Sequence, residues 1–224
     1  MKSPNFFESI LLAELNLGVH PTSFFQIAKD WAKHKDDWTL VLQLHAYLES
    51  GLNVLLSKRR YRLTEAFDDR ITFARKVDLA FRLTEFSRET EYKDFFLAMN
   101  SLRNRFAHDA RYIKTKIKCY LDRLPPRKRV QMLNALGVCH RLEIKTKAGA
   151  LSRAEVTLEF PQISVWLSAA YALELLSLSY RIKIGEDGKP YADDFSPALQ
   201  ALLHDPKVKG FIQTISKSLD RLVS

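Results

Sequence analysis

Phe95, Met99, Leu102 and Phe106 stand four, three and four residues apart, a spacing that lines one face of a helix. A helix is therefore expected from near Thr90 through Asn100-Ser101-Leu102-Arg103-Asn104-Arg105-Phe106-Ala107-His108-Asp109. At about 100° per residue, Asn104 falls opposite the apolar face and His108 roughly 140° from it, with Arg105 and Arg103 each about 80° to one side. His108 thus does not project from the apolar stripe, and the usual assignment of a lone histidine to a protein core loses its support. Arg103 and His108 are themselves about 140° apart around an ideal helix. They meet one substrate only if the helix ends or bends between them, or if two chains face each other.

The same periodicity organises most of the 224-residue chain. Ser3-Pro4 opens a helix to about Leu17, since proline suits the first helical position. Pro21 or Thr22 opens a second to Trp31, with Phe24, Phe25, Ile27 and Ala28 on one side. This pair is either an appendage packed on the main bundle or, given Phe6, Phe7, Phe24 and Phe25, an arm for a partner protein. Asp36 or Asp37 caps a helix to about Ser57, whose buried face is Leu40, Leu44, Tyr47, Leu48, Gly51 and Leu55. His45, Glu49 and Asn53 recur every fourth residue on it, as a solvated edge or as a stripe that brings Glu49 towards Arg103 and His108. A further helix is expected from Asp69 to Leu83, with Phe73, Val77, Ala80 and Phe81 inward.

Beyond the Arg103–His108 stretch the composition shifts. Residues 111–129 hold eight basic side chains and one acid, Asp122, a balance of +7 within a chain of net charge +9. Arg111, Lys114, Lys116, Lys118, Arg127, Lys128 and Arg129 form either a solvated basic face or a track for a phosphate backbone, where Lys and Arg contacts dominate affinity. Lys58, Arg59 and Arg60, in an expected loop, are candidates for the same role. Pro125-Pro126 breaks the segment before a helix to Gly137. Leu142 and Ile144, then Val156, Leu158 and Phe160, alternate with other residues, so a two-stranded hairpin is expected within 140–160. Pro161 starts an apolar helix to Arg181, either the last core helix or a dimer seam. A turn at Glu186-Asp187-Gly188-Lys189-Pro190, a short helix from Ser196-Pro197 to His204 and a helix from Lys207 to Leu222 complete the chain.

These elements predict an all-α fold: an N-terminal helical addition over 1–35, an antiparallel helical bundle over 36–182 with the hairpin inserted, and a C-terminal helical addition over 183–224. Hydrophobic residues are 46% and glycines only seven, which suits a packed, loop-poor globule. The basic balance suits nucleic acid or an anionic membrane surface. Two cysteines, Cys119 and Cys139, form no disulfide framework. No apolar run reaches the roughly 18 residues of a membrane span, and no signal-peptide pattern follows Met1, so a cytoplasmic location and no membrane partner are expected. No Gly-rich phosphate loop, dinucleotide fingerprint, His-Glu-x-x-His or Gly-x-Ser-x-Gly is present, and Cys139-His140 lacks zinc-ligand spacing. No cofactor or metal is expected.

Arg103, four residues, then His108, with Asn104 after the arginine and Leu102 before it, resembles the R-X4-6-H motif of the HEPN superfamily. LRNRFAHD is similar to the LRNxxAH form of its bacterial members. Upstream, a helix LHAYLESGLNVLL carrying Glu49, a basic loop and a helix ITFARKVDLAFRL resemble the same family, so the likeness spans about residues 40–117. Asp109 is a departure, since a small residue often follows the histidine there. The resemblance implies a helical bundle that forms a homodimer with both motifs near the two-fold axis. It also implies a metal-independent ribonuclease, or a relative that has lost catalysis and binds or regulates. Glu49 matches an acidic residue that the family often keeps.

The residue types suit that chemistry. A histidine titrating near neutrality takes the 2′-OH proton, and a planar arginine fork stabilises charge on the scissile phosphate. The 2′-oxygen of the substrate is the nucleophile, so the expected products are a 2′,3′-cyclic phosphate and a 5′-OH. His108 is then the general base or acid, Arg103 the phosphate clamp and Asn104 a positioning hydrogen bonder, with Arg105, Glu49 and Asp109 in support. The expectation is an endoribonuclease acting on RNA, as a toxin or defence effector with an antitoxin or regulatory protein as partner. The alternative is a catalytically inactive nucleic-acid-binding or regulatory protein of the same fold.

Overall fold

A computed structural model of the chain describes residues 23–58, 71–83, 89–109, 112, 114–140, 144–146, 149–184 and 190–192. Helix α1, Ser23–His34, ends where Lys35 enters the left-handed region at φ 54°, a conformation costing a non-glycine residue about 1–2 kcal/mol. That single residue turns the chain directly into α2, Asp37–Lys58. Asp36 caps α2: its Oδ1 accepts from the Trp38 amide at 3.1 Å, filling one orphan donor of the first turn.

Helix α2 is the hub of the fold. Leu40, Val41, Leu44, Leu48, Leu52, Leu55 and Leu56 are all essentially inaccessible, too many for one stripe, because α2 packs against four other helices. They are α1, α3 (Phe73–Leu83), α4 (Thr90–His108) and α8 (Pro161–Arg181). Phe73, Val77, Ala80 and Phe81 of α3 point into this core, as do Phe95, Met99, Leu102 and Phe106 of α4. Each such large apolar side chain contributes about 1.5–3 kcal/mol by leaving water. Phe24 stacks on Trp166 of α8 with ring centroids 4.9 Å apart, and Phe24, Phe25 and Ile27 belong to the same core. Phe24 and Phe25 are therefore not offered to a partner; Phe6, Phe7 and the helix expected over residues 3–17 lie outside the described residues. Helix α8 buries Val165, Trp166, Ala169, Ala170, Ala172, Leu173 and Leu176, which makes it a core helix.

After α4 come two short helices, α5 (Ile117–Asp122) and α6 (Pro126–Leu136), broken at Pro125-Pro126 as the sequence predicts. Strands β1 (Ile144–Thr146) and β2 (Gly149–Leu151) pair antiparallel, so a hairpin lies inside 140–160. It is shorter than expected. Val156, Leu158 and Phe160 are not in its second strand: helix α7 occupies Arg153–Glu159. A reciprocal capping box starts that helix, the Ser152 side chain accepting from the Glu155 amide and the Glu155 side chain accepting from the Ser152 amide, which removes two orphan donors at once. A second hairpin, β3 (Ile182–Ile184) with β4 (Pro190–Ala192), brackets the turn expected at residues 186–190; the helices expected after Ser196 fall outside the described residues. The described chain is predominantly helical. None of its helices is long and apolar enough to cross a membrane.

Asp37, fully buried, ties four parts of this fold together. Its Oδ1 accepts from Trp31 Nε1 of α1 at 3.1 Å. Its Oδ2 accepts from the Ile117 amide of α5 at 2.9 Å and from Gln162 Nε2 of α8 at 2.7 Å. A buried carboxylate persists only when its lone pairs are satisfied in this way.

Candidate functional site

The site lies at the C-terminal end of α4. Helical geometry stops there because Asp109 takes an extended conformation, φ −120° and ψ 106°, while its amide still donates to the Arg105 carbonyl. The Phe106 carbonyl accepts from Trp38 Nε1 at 2.8 Å, so the end of α4 is fastened to the start of α2. His108 is the last residue of α4 and is exposed.

Arg103 and His108 both lie within α4, which runs unbroken through His108, so the roughly 140° separation is bridged by the length of the Arg103 side chain and not by the expected end or bend between them. The Arg103 side chain runs along the final turn: its Nη1 donates to Asn104 Oδ1 at 3.0 Å and lies 3.1 Å from His108 Nε2. One chain therefore assembles all three side chains. A guanidinium carries only donors, so this contact is a hydrogen bond in the tautomer that leaves the Nε2 lone pair free to accept. Asn104 and His108 are exposed and Arg103 is half-buried. A guanidinium and an imidazole thus meet at an open surface, where a phosphodiester can reach both.

Glu49 takes a different partner from the one expected. Its carboxylate is ion-paired with Lys76 Nζ of α3 at 2.7 Å and does not orient Arg103 or His108. His45, expected on a solvated edge, is buried at 5% exposure with its ring 4.2 Å from that of Phe73. Burial pushes its pKa below the usual imidazole value; Glu49 opposes this, while Arg103 and Lys76 reinforce it. Asn100 hydrogen-bonds the ring, whereas Nε2 has no hydrogen-bond partner. The sequence held a signal for this burial. Val41, His45, Leu48 and Leu52 repeat the four-three-four spacing of α4, so the histidine occupies a place on a second apolar stripe of α2. Asn100, Lys76 and Arg103, from two other helices, all act on the His45 ring, a convergence that no single-helix spacing encodes.

Arg105 is exposed one helical turn before Asp109. Of the expected phosphate track, Lys116 turns inward to the Lys35 carbonyl and to Asp37, 3.7 Å away. Lys118 pairs with Glu159 at 3.3 Å and Arg129 with Asp122 at 2.8 Å. Lys114, Arg127 and Lys128 are exposed and carry no ion pair among the described residues. Arg111, Arg59, Arg60 and the Lys58 side chain lie outside the described residues. No group of three or more His, Cys, Asp or Glu side chains placed to hold a metal ion occurs among the described residues, and burial pushes the Cys139 thiol up in pKa.

Comparison of the chain with protein-family models, with curated proteins and with solved structures found no match.

Proposed function

We propose that the protein is a metal-independent endoribonuclease of the HEPN kind, cutting RNA to a 2′,3′-cyclic phosphate and a 5′-hydroxyl. The observation that carries this reading is the contact of Arg103 Nη1 with His108 Nε2 at the exposed end of α4. His108 Nε2 removes the 2′-OH proton once Arg103 Nη1 has turned from it to the phosphate. The 2′-oxygen attacks phosphorus, the bond to the 5′-oxygen breaks, and that oxygen leaves with a proton from the imidazolium or from water. The remaining Arg103 donors hold the phosphate oxygens on which charge builds. Asn104 fixes the guanidinium, and Lys114, Arg127 and Lys128 supply cations for flanking phosphates. Leu97, an exposed large apolar residue, shares a stripe of α4 with Asn104 and His108, which fits the homodimer with facing motifs that the resemblance implies. A toxin or defence role with an antitoxin partner follows from the same likeness.

The test is incubation of purified protein with mixed cellular RNA in excess chelator, wild type beside His108→Ala and Arg103→Ala. Wild type is expected to cleave, leaving cyclic phosphate ends, and His108→Ala to lose about 10²–10⁴-fold in rate. The melting temperature of His108→Ala should stay close to wild type, since exposed positions away from packing change stability by about 0.5 kcal/mol or less. RNA that is bound in a salt-sensitive manner and left intact by wild type would establish the binding-module alternative instead.

A further inference from the structure

Helix α4 carries more than the Arg103–His108 pair. Asp94, Ser101, Arg105 and His108 stand seven, four and three residues apart, within about 60° of one another around the helix axis. The upper part of this stripe forms one wall of a cavity of about 680 Å³ between α4, α6 and the start of α7. Ser101 lines it, and His108 lies beyond Ser101 by about 10 Å of helical rise, with exposed Arg105 between them. A chain lying across His108 and Arg105 therefore runs into this cavity.

The lining chooses among ligands. Ala98, Leu124, Met132 and Ala135 provide flat apolar surface, and a thioether packs well on an aromatic ring. Around them stand Asp94, Gln131, Asn134 and Lys128, exposed side chains with no partner among the described residues. Arg153 closes one end, its guanidinium held by Glu91 at 3.2 Å and its Nε by the His140 carbonyl at 2.9 Å. Two carboxylates against two cations leave the cavity formally neutral, which disfavours a phosphate as the guest. A cavity of mixed apolar and polar lining with unengaged donors and acceptors suits a nucleobase. Asp94 is the acceptor-only group among the unengaged four, and the base edge presenting two adjacent N–H donors to a carboxylate is that of guanine.

The geometry points to a nucleobase subsite, selective for guanine, in the α4–α6–α7 cavity beside the His108 end of α4. Its placement next to a cleaved phosphate rests on the ribonuclease reading; its capacity to bind a base does not. The experiment therefore uses the full chain carrying His108→Ala and titrates guanosine, adenosine, cytidine and uridine separately, following backbone amide resonances. Guanosine is expected to shift Ala98, Gln131 and Asn134 and to bind at least about tenfold more tightly than cytidine or uridine. Asp94→Asn should erase that preference, and Ala98→Trp should block all four. Gln131→Ala, on an exposed helix face, serves as the weakening variant if Ala98→Trp fails to fold. No shift at these residues, or binding indifferent to Asp94→Asn, overturns the subsite. Chelator-resistant cleavage without base binding removes the subsite and leaves the nuclease; guanosine binding without cleavage does the reverse.

Discussion

His45 and His140 are the titrating side chains that the fold holds most firmly in the neutral state. Burial lowers the pKa of His45 first, with Arg103 and Lys76 adding to it against Glu49 and Asn100. Burial also lowers that of His140, helped by Arg153, while its Nε2 lies 2.8 Å from Ser164 Oγ. Both rings have folded pKa values below the usual 6.5. Between the folded value and 6.5 the unfolded chain binds more protons, so stability rises with pH there. The contribution is complete above 6.5 and is lost as pH falls below it. A melting temperature that declines from pH 7.5 to 5.5 is expected, with a shallower decline in a His45→Gln/His140→Gln double variant. An unchanged slope in that variant would rule out these rings as the cause. The stabilisation reflected in the lowered carboxyl pKa values of Asp78 and Glu155 is present throughout this window and is lost only as pH falls below the ordinary carboxylate range.

At the scale of elements, α6 and α7 approach so closely that Gly137, at the end of α6, has no room for a side chain. A Cβ there would collide with Thr157 Oγ1 and lie 3.1 Å from the Leu133 carbonyl. Thr157 does not yield freely, since its hydroxyl donates to the Arg153 carbonyl at 2.8 Å. Its backbone φ of −98° is open to any residue, so space alone makes the demand. Gly137→Ala is expected to destabilise by about 1–3 kcal/mol through overpacking, read by denaturant unfolding. Adding Thr157→Ala should recover part of the loss; full additivity of the two would show that they do not meet. The α6–α7 approach also forms the wall of the cavity opposite α4. Alternation at Val156, Leu158 and Phe160 predicts a strand, yet the segment is helical because Ser152 and Glu155 cap it and because Val156 and Thr157 are buried against neighbours. Short apolar runs do not distinguish the two periods.

For the molecule as a whole, Asp37 is the joint on which α1, α2, α5 and α8 converge. Removing its carboxylate leaves the buried Ile117 amide and the partly buried Trp31 and Gln162 N–H groups without that acceptor. Asp37→Ala is expected to cost at least about 1–3 kcal/mol, the penalty for one unsatisfied buried donor, against the roughly 5–15 kcal/mol that holds a domain together. Guanidinium unfolding measures it, and a loss below about 1 kcal/mol would contradict the joint. The sequence identified Asp37 only as a capping candidate. Its partners at residues 117 and 162 are 80 and 125 positions away, beyond the reach of any local pattern.

Local spacing by itself determined that the chain is helical, where α2, α3, α4 and α8 run, which faces of them are apolar, and that His108 stands outside the apolar stripe of α4. Each follows from a period of about 3.6 residues within one element. It also placed Arg103, Asn104 and His108 together as candidates, because they lie within six residues. Tertiary structure decided the rest. The contact of Arg103 with His108 is made by the reach of the Arg103 side chain along the last turn of α4, a turn that Trp38 of another helix fastens. Glu49 faces Lys76, and His45 is enclosed, because α3 packs across α2. The cavity exists only where three helices separated in sequence come together. Side-chain pairings of this kind depend on how helices are set against one another, which no single-helix period encodes.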